Sequence, residues 1–223
     1  MKEIKRDFNK RKNEINTYFI FLENLLIYDT VSWNGNSQEK ILSELRSIMK
    51  SNIFLMLYNL TESSISAAIE QIHISIKRDK NISFDNVNEG IKIKLIRYLK
   101  NKKKVKKFID EIDEISIDII SSCFDKKGVF SGNAGRREIN DLAKQYGFSI
   151  NSDYKKTKHG KKLDKVKDHR NALAHGVFSF REIGKEYTLT DIREFKDETI
   201  AYLEQIIENI EIYINKKAYN SVK

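Results

Sequence analysis

The chain has 223 residues, a formal net charge of +9, 40% hydrophobic and 33% charged residues, no proline and nine glycines. This is enough apolar material for a buried core, and the high charged fraction points to a soluble globular chain rather than an integral membrane one. A β-rich protein of this length draws its many tight turns from Gly and Pro, so the scarcity of both points to an all-α helical fold. Cys123 is the single cysteine, which excludes an internal disulfide and fits a reducing compartment. The first dozen residues are dense in charge and lack a signal-peptide core. The most apolar run, residues 18–28, contains Glu23 and is too short for a bilayer, which needs about 20 apolar residues. A cytoplasmic protein with no membrane association is expected.

In chain order, the first predicted helix covers residues 3–28, with Ile4, Phe8, Ile15, Phe19, Leu22 and Leu26 on one face. Residues 29–36 contain Asn34-Gly35 and read as a loop. A long helical stretch over 38–78, broken at most once, has a nearly unbroken apolar centre at 53–60 that belongs in the middle of a bundle. Two amphipathic helices follow over 84–99 and 105–124. Across the start of the second, Lys102, Lys103, Lys104, Lys106 and Lys107 are followed at once by Asp110, Glu111, Asp113, Glu114 and Asp118, a self-neutralised and solvated face. Cys123 continues its apolar pattern and reads as core.

Residues 126–135 form a Gly-containing loop without the GK[ST] ending of a phosphate-binding loop. A short helix over 136–146 ends at Gly147, and its first residues, Arg136 and Arg137, could meet phosphate but read first as surface ion-pair partners. The polar, lysine-rich stretch that follows leads into a helix over 161–175, with Gly176 as its terminating glycine. Residues 177–189 read as a loop with a small hairpin near Gly184. The last helix is expected to start behind Thr190 as N-cap and to run to about residue 217. No repeat, low-complexity tract or linker interrupts the chain, so one helical domain over 1–223 is the simplest organisation.

The segment Arg170-Asn171-Ala172-Leu173-Ala174-His175 carries the chemistry. An imidazole takes and gives protons near neutral pH. A guanidinium is a permanent cation whose planar fork matches phosphate oxygens. Together they supply what transfer of an RNA phosphodiester to its own 2′-hydroxyl requires: one group to move protons and one to neutralise charge growing on phosphorus oxygens. Asn171 and His175 are four apart and share a helix face, so Asn171 is placed to orient the imidazole or touch the phosphate. Arg170 and His175 are five apart, about 140° around the helix, and a two-fold dimer offers a way to bring both sets into one cleft. Taken alone, an Arg and a His five apart also fit a surface ion pair and a helix-end cap. Upstream, 153–170 carries five more positive than negative charges, which singles out Lys161, Lys162, Lys165 and Lys167 as RNA-binding candidates.

The Arg170-Asn171-x-x-x-His175 motif resembles the signature of the HEPN superfamily: Arg, a polar residue, then His near a helix end. The resemblance spans nearly the whole chain through further blocks, Phe54-Leu-Met-Leu-Tyr-Asn-Leu-Thr-Glu62-Ser, Phe130-Ser-Gly-Asn133, Leu142-Ala-Lys-Gln-Tyr-Gly-Phe148 and Leu173-Ala-His-Gly176 followed by Phe180, Gly184 and Tyr187-Thr-Leu189. These look like a stand-alone bacterial subfamily of HEPN-like nucleases. The resemblance implies a HEPN-type helical bundle, a homodimer and metal-independent RNA cleavage, with Arg170 and His175 as catalytic pair and Asn171 as polar companion; Glu62 on the central helix reads either as a group orienting Arg170 or as an ordinary solvent-facing Glu beside Ser63. It implies the setting of a toxin with an antitoxin protein, or of an anti-phage effector with a defence partner. The alternative is a non-catalytic helical module that binds RNA, nucleotide or a protein. His73, His159 and His169 have no metal-ligand spacing and no CxxC or HExxH occurs, so neither metal nor cofactor is expected.

Overall fold

The computed structural model describes residues 1–27, 38–101, 129–130 and 133–221. The expected helix at 105–124 with its charged run and Cys123, and most of the expected loops at 29–36 and 126–135, lie outside them. The described elements are α1 (Lys2–Ile27), α2 (Gln38–Arg78), α3 (Glu89–Asn101), α4 (Arg136–Tyr146), α5 (Tyr154–Thr157), a 3₁₀ turn (Lys158–Gly160), α6 (Lys161–Ala174), α7 (Phe180–Lys185) and α8 (Leu189–Asn215). Among the described residues there is no strand, only one isolated antiparallel bridge between Val87 and Asn220. None of their helices is long and apolar enough to cross a membrane.

The all-α expectation holds, and α2 is its axis. This helix runs unbroken through 41 residues, and Ile53, Phe54, Leu57, Tyr58 and Leu60 along its centre are fully buried. Because both sides of that stretch are apolar, it needs partners all around, and it packs against α1, α6, α7 and α8. α8 contributes the opposing stripe of Ile192, Phe195, Leu203, Ile206 and Ile210. The chain end is fastened by Asp79, which accepts from the Tyr219 hydroxyl at 3.0 Å and pairs with Lys217 at 2.9 Å.

Three boundaries differ from expectation, each for a local reason. Residues 177–189 are not a loop with a hairpin. Ser179 and Glu182 form a reciprocal capping box that starts α7, and the Ser51 hydroxyl donates to the Phe180 carbonyl at 2.5 Å, tying α7 to α2. The N-cap of α8 is Thr188, not Thr190, because Asp191 three residues on completes a second capping box. α3 starts at Glu89 rather than near Phe84, since 79–88 is occupied by turns in which Asn81 N–H bonds Asp79 and Ser83 N–H bonds Asn86.

Gly184 marks a close approach of α7 to α2: a Cβ built there would lie 1.8 Å from the Ser47 carbonyl oxygen of α2. Gly176, at φ +67°, has nothing within 4 Å of the same position. Gly184→Ala is therefore expected to lower stability by about 1–3 kcal/mol through backbone displacement. Gly176→Ala is expected to cost about 1 kcal/mol, from the left-handed backbone alone. Thermal melts of the two variants check this; equal melting temperatures would contradict the packing described.

Candidate functional site at the end of α6

α6 begins behind Gly160, whose φ of +73° supplies a left-handed N-cap. It ends in a Schellman turn. His175 is the C-cap, Gly176 donates to the Leu173 carbonyl at 3.3 Å, and Val177 donates to the Ala172 carbonyl at 2.9 Å. The expected terminating glycine thus holds, and the turn fixes His175 at the solvent-facing helix end. Leu163, Val166, His169 and Leu173 form the buried side of α6. Asp164, Asn171 and His175 fall on one stripe at its edge, at spacings of seven and four residues.

Arg170 lies toward the buried side of α6 and is half-buried. Its guanidinium carbon sits 4.2 Å from the centre of the Tyr58 ring, a cation–π stack on a fully buried aromatic. From there Nη1 donates to Asn171 Oδ1 at 2.9 Å, so the long side chain swings to the face that Asn171 shares with His175. Asn171 Nδ2 in turn donates to Asn133 Oδ1 at 3.3 Å, and the Ala134 N–H donates to the Tyr58 hydroxyl at 3.2 Å. The contacts close a circuit: Tyr58 to Arg170 to Asn171 to Asn133, then through Ala134 back to Tyr58. Burial holds the Tyr58 hydroxyl above its usual range, which keeps it neutral beside the guanidinium.

Tyr58 and Asn133 were singled out in the sequence only as parts of wider blocks, with no role of their own. The signal available was that three blocks, 54–63, 130–133 and 170–176, each contained a polar residue in an apolar setting. Glu62 lies one turn beyond Tyr58 on α2 and acts on the Tyr58 hydroxyl through its charge. Among the described residues no hydrogen bond joins it to Arg170. The four lysines do not form one surface. Lys162 pairs with Glu194 at 3.0 Å and covers the Phe195 ring at 4.5 Å. Lys167 pairs with Glu138 at 3.4 Å. Lys161 and Lys165 are exposed and lie one turn apart.

His169, next to Arg170, belongs to the core. It is packed on Phe54 at 4.6 Å between ring centres and shares a 2.6 Å hydrogen bond with the Tyr187 hydroxyl. His73 is buried likewise, 2.8 Å from the Tyr146 hydroxyl. Among the described residues no three His, Cys, Asp or Glu side chains gather into a group suited to a metal ion.

Compared with known proteins, the chain matches the family model described as HEPN_MAE_28990-like HEPN over residues 1–219. No curated protein and no solved structure matches it.

Burial holds the His169 imidazole below its ordinary value of 6.5, against an opposing pull from Glu186. A depressed histidine is neutral in the fold while the unfolded chain still takes up a proton. Stability from this group is complete above about pH 6.5 and is lost as pH falls from there toward the depressed folded value. Melting temperature is expected to decline through that window, and His169→Phe is expected to flatten the decline. An identical profile in both proteins would contradict a neutral buried imidazole.

Proposed function

The chain belongs to the HEPN_MAE_28990-like HEPN family, and on that premise we propose that it is an endoribonuclease that cleaves RNA without a metal ion, through Arg170 and His175. Membership itself points to a nuclease or RNA-related function. The observation that carries the finer reading is the fixed guanidinium. Arg170 is held between Tyr58 and Asn171, while His175 stands exposed on the face that Asn171 occupies.

RNA brings its own nucleophile. In this reading His175 takes the proton of the 2′-hydroxyl as that oxygen bonds to the adjacent phosphorus and the bond from phosphorus to the 5′-oxygen breaks, and it passes that proton on to the departing 5′-oxygen. Arg170 neutralises charge growing on the non-bridging oxygens. It does so from a preset position, so little reorganisation accompanies the reaction. Asn171 holds the guanidinium and lines the same face. Glu62 contributes negative charge behind the Tyr58–Arg170 stack. The exposed Lys161 and Lys165 are suited to phosphate contacts, and Lys162 and Lys167 exchange their carboxylate partners for RNA only at a cost.

We further propose a homodimer across the end of α6. Val177 and Phe178, directly after His175, are 65% and 50% exposed, which supports a covered apolar face beside the site. The setting proposed is cytoplasmic, as the toxin of a toxin–antitoxin pair or an anti-phage effector.

Loss of a proton-transfer group costs about 100- to 10,000-fold in rate, so His175→Ala is expected to reduce cleavage of mixed cellular RNA by that factor. Because His175 is an exposed helix-end residue, stability should change by no more than about 0.5 kcal/mol. Arg170→Ala is expected to abolish cleavage and also to lower stability by roughly 1–2 kcal/mol, the weight of a partly desolvated cation–π stack. Wild-type cleavage should persist in excess EDTA. Cleavage by His175→Ala at the wild-type rate would remove the assignment. For assembly, Phe178→Glu is expected to convert a dimer to a monomer by light scattering; a wild-type monomer with full activity would refute the paired site.

A further inference from the structure

A cavity of about 210 Å³ opens between the start of α4, the turn before α6 and the side of α8, lined by Arg136, Asn140, Ile150, Asn151, His159 and Tyr202. Pockets that enclose a whole small molecule run to about 300–1,000 Å³, so this one suits a fragment, such as one sugar-phosphate or one base of a longer chain. Three of its polar groups lack an ion-pair or hydrogen-bond partner among the described residues. Among the described residues the Arg136 guanidinium makes no ion pair, and the Tyr202 hydroxyl makes no hydrogen bond. Asn140 Oδ1 is buried and accepts no hydrogen bond. Such groups are rare in a folded protein unless a ligand or water completes them. Asp164 accepts from the Arg136 backbone N–H at 3.0 Å.

The backbone beneath the pocket is held in an uncommon state. Lys158 and His159 have φ of +45° and +52°, and Gly160 follows at +73°. Two consecutive side-chain-bearing residues in the left-handed region are costly, and such strain gathers at functional sites. Two local bonds sustain it: the His159 N–H donates to Thr157 Oγ1 at 3.0 Å, and His159 Nδ1 lies 3.0 Å from Ser152 Oγ. With Nδ1 so engaged, the Nε2 edge is the one left for a ligand. Gly160 is required here because a Cβ would lie 2.8 Å from the Tyr202 ring.

The segment 133–136 links the pocket to the stripe of α6 that carries Asn171. Asn133 meets Asn171, and three residues later the Arg136 N–H meets Asp164, two turns earlier on the same stripe of α6. At 1.5 Å rise per residue this is about 10 Å along the helix, a distance that an extended strand covers with neighbouring nucleotides.

We propose that this pocket is a nucleotide subsite of the RNA-binding surface, in which Arg136 and His159 take the phosphate of a nucleotide flanking the cleaved bond and Asn140 accepts a donor from its sugar or base. The proposal rests on the reading of the α6 face as the place where RNA is cut. It gives Arg136 the phosphate contact that stands second to a surface ion pair in the sequence reading. It also makes a distinctive demand on Asn140. A group that waits for a ligand weakens the free protein, so replacing it with an apolar side chain of like shape leaves stability unchanged or raised.

The test is binding of uncleavable, fully 2′-O-methylated RNA strands of increasing length, from a dinucleotide up, by fluorescence anisotropy. Wild-type affinity is expected to climb with length. Arg136→Gln is expected to cancel about tenfold of that gain, the weight of a hydrogen bond to a charged group, and to lower the salt slope by roughly 0.7, one phosphate contact on a single strand. His159→Asn keeps a residue that tolerates the left-handed backbone and should act in the same direction. Asn140→Leu should weaken the longer strands while its melting temperature stays at or above wild type. Variants that keep the wild-type length dependence overturn the subsite while leaving the cleavage reading intact. Variants that lose it, in a protein that cuts no RNA, uphold the subsite and remove the cleavage reading. A wild-type protein that binds no strand of any length overturns both.

Discussion

The stacking of the Arg170 guanidinium on the buried face of Tyr58 is the constraint around which the site is organised. A guanidinium tolerates partial burial because it is weakly hydrated for a cation and its plane matches an aromatic face. Tyr58 has no freedom to move, since it sits at the fully buried centre of α2, and its hydroxyl is occupied by the Ala134 N–H. Rigidity therefore passes from the core of the bundle to a charged group at its edge. Asn171 relays it outward by accepting from Arg170 and donating to Asn133. The segment before α4, the centre of α2 and the last turns of α6 are bound into one unit by side chains rather than by helix packing alone.

This arrangement explains why a long apolar helix carries a tyrosine at its middle. A phenylalanine would fill the same volume and still carry Arg170, but would leave the Ala134 N–H without its acceptor. It also explains the division of labour along α6. The buried side, from Leu163 to Leu173, anchors the helix, with His169 filling a place in an aromatic cluster with Phe54, Tyr187 and Phe195. The edge stripe of Asp164, Asn171 and His175 holds the groups that face outward. Neighbouring histidines and a neighbouring arginine thus have unlike roles that are fixed by angle around one helix.

Much of this was legible in the sequence, and the failures have physical causes. Helical periodicity and the scarcity of Gly and Pro located α1, α2, α4 and α6 closely, and Gly147 and Gly176 marked their helix ends at positive φ. α7 was missed because six residues are too few for a periodic signal; its evidence lay in the Ser179–Glu182 capping box and in Gly184, whose purpose becomes visible only with Ser47 opposite it. Thr188 and Thr190 are both suitable caps by type, and Asp191 three residues after Thr188 decides between them. At the site, Arg170, Asn171 and His175 stood out by chemistry. Tyr58 and Asn133 did not, because their importance comes from contacts across more than a hundred and across 38 residues of chain respectively. Lys162 and Lys167 counted toward a basic surface until their partners, Glu194 and Glu138, were located on other helices.

The central claim is chemical: a fixed guanidinium and an exposed imidazole suffice to cut RNA by way of its own 2′-hydroxyl. Everything proposed about setting and partners depends on that step. Analysis of the fragment ends tests it most directly. The account predicts a 2′,3′-cyclic phosphate on one fragment and a 5′-hydroxyl on the other, from an RNA whose cleavage is blocked by 2′-O-methylation at the cut site. Fragments bearing a 5′-phosphate and a 3′-hydroxyl would contradict it, because those ends require an external water as nucleophile and a different catalytic centre.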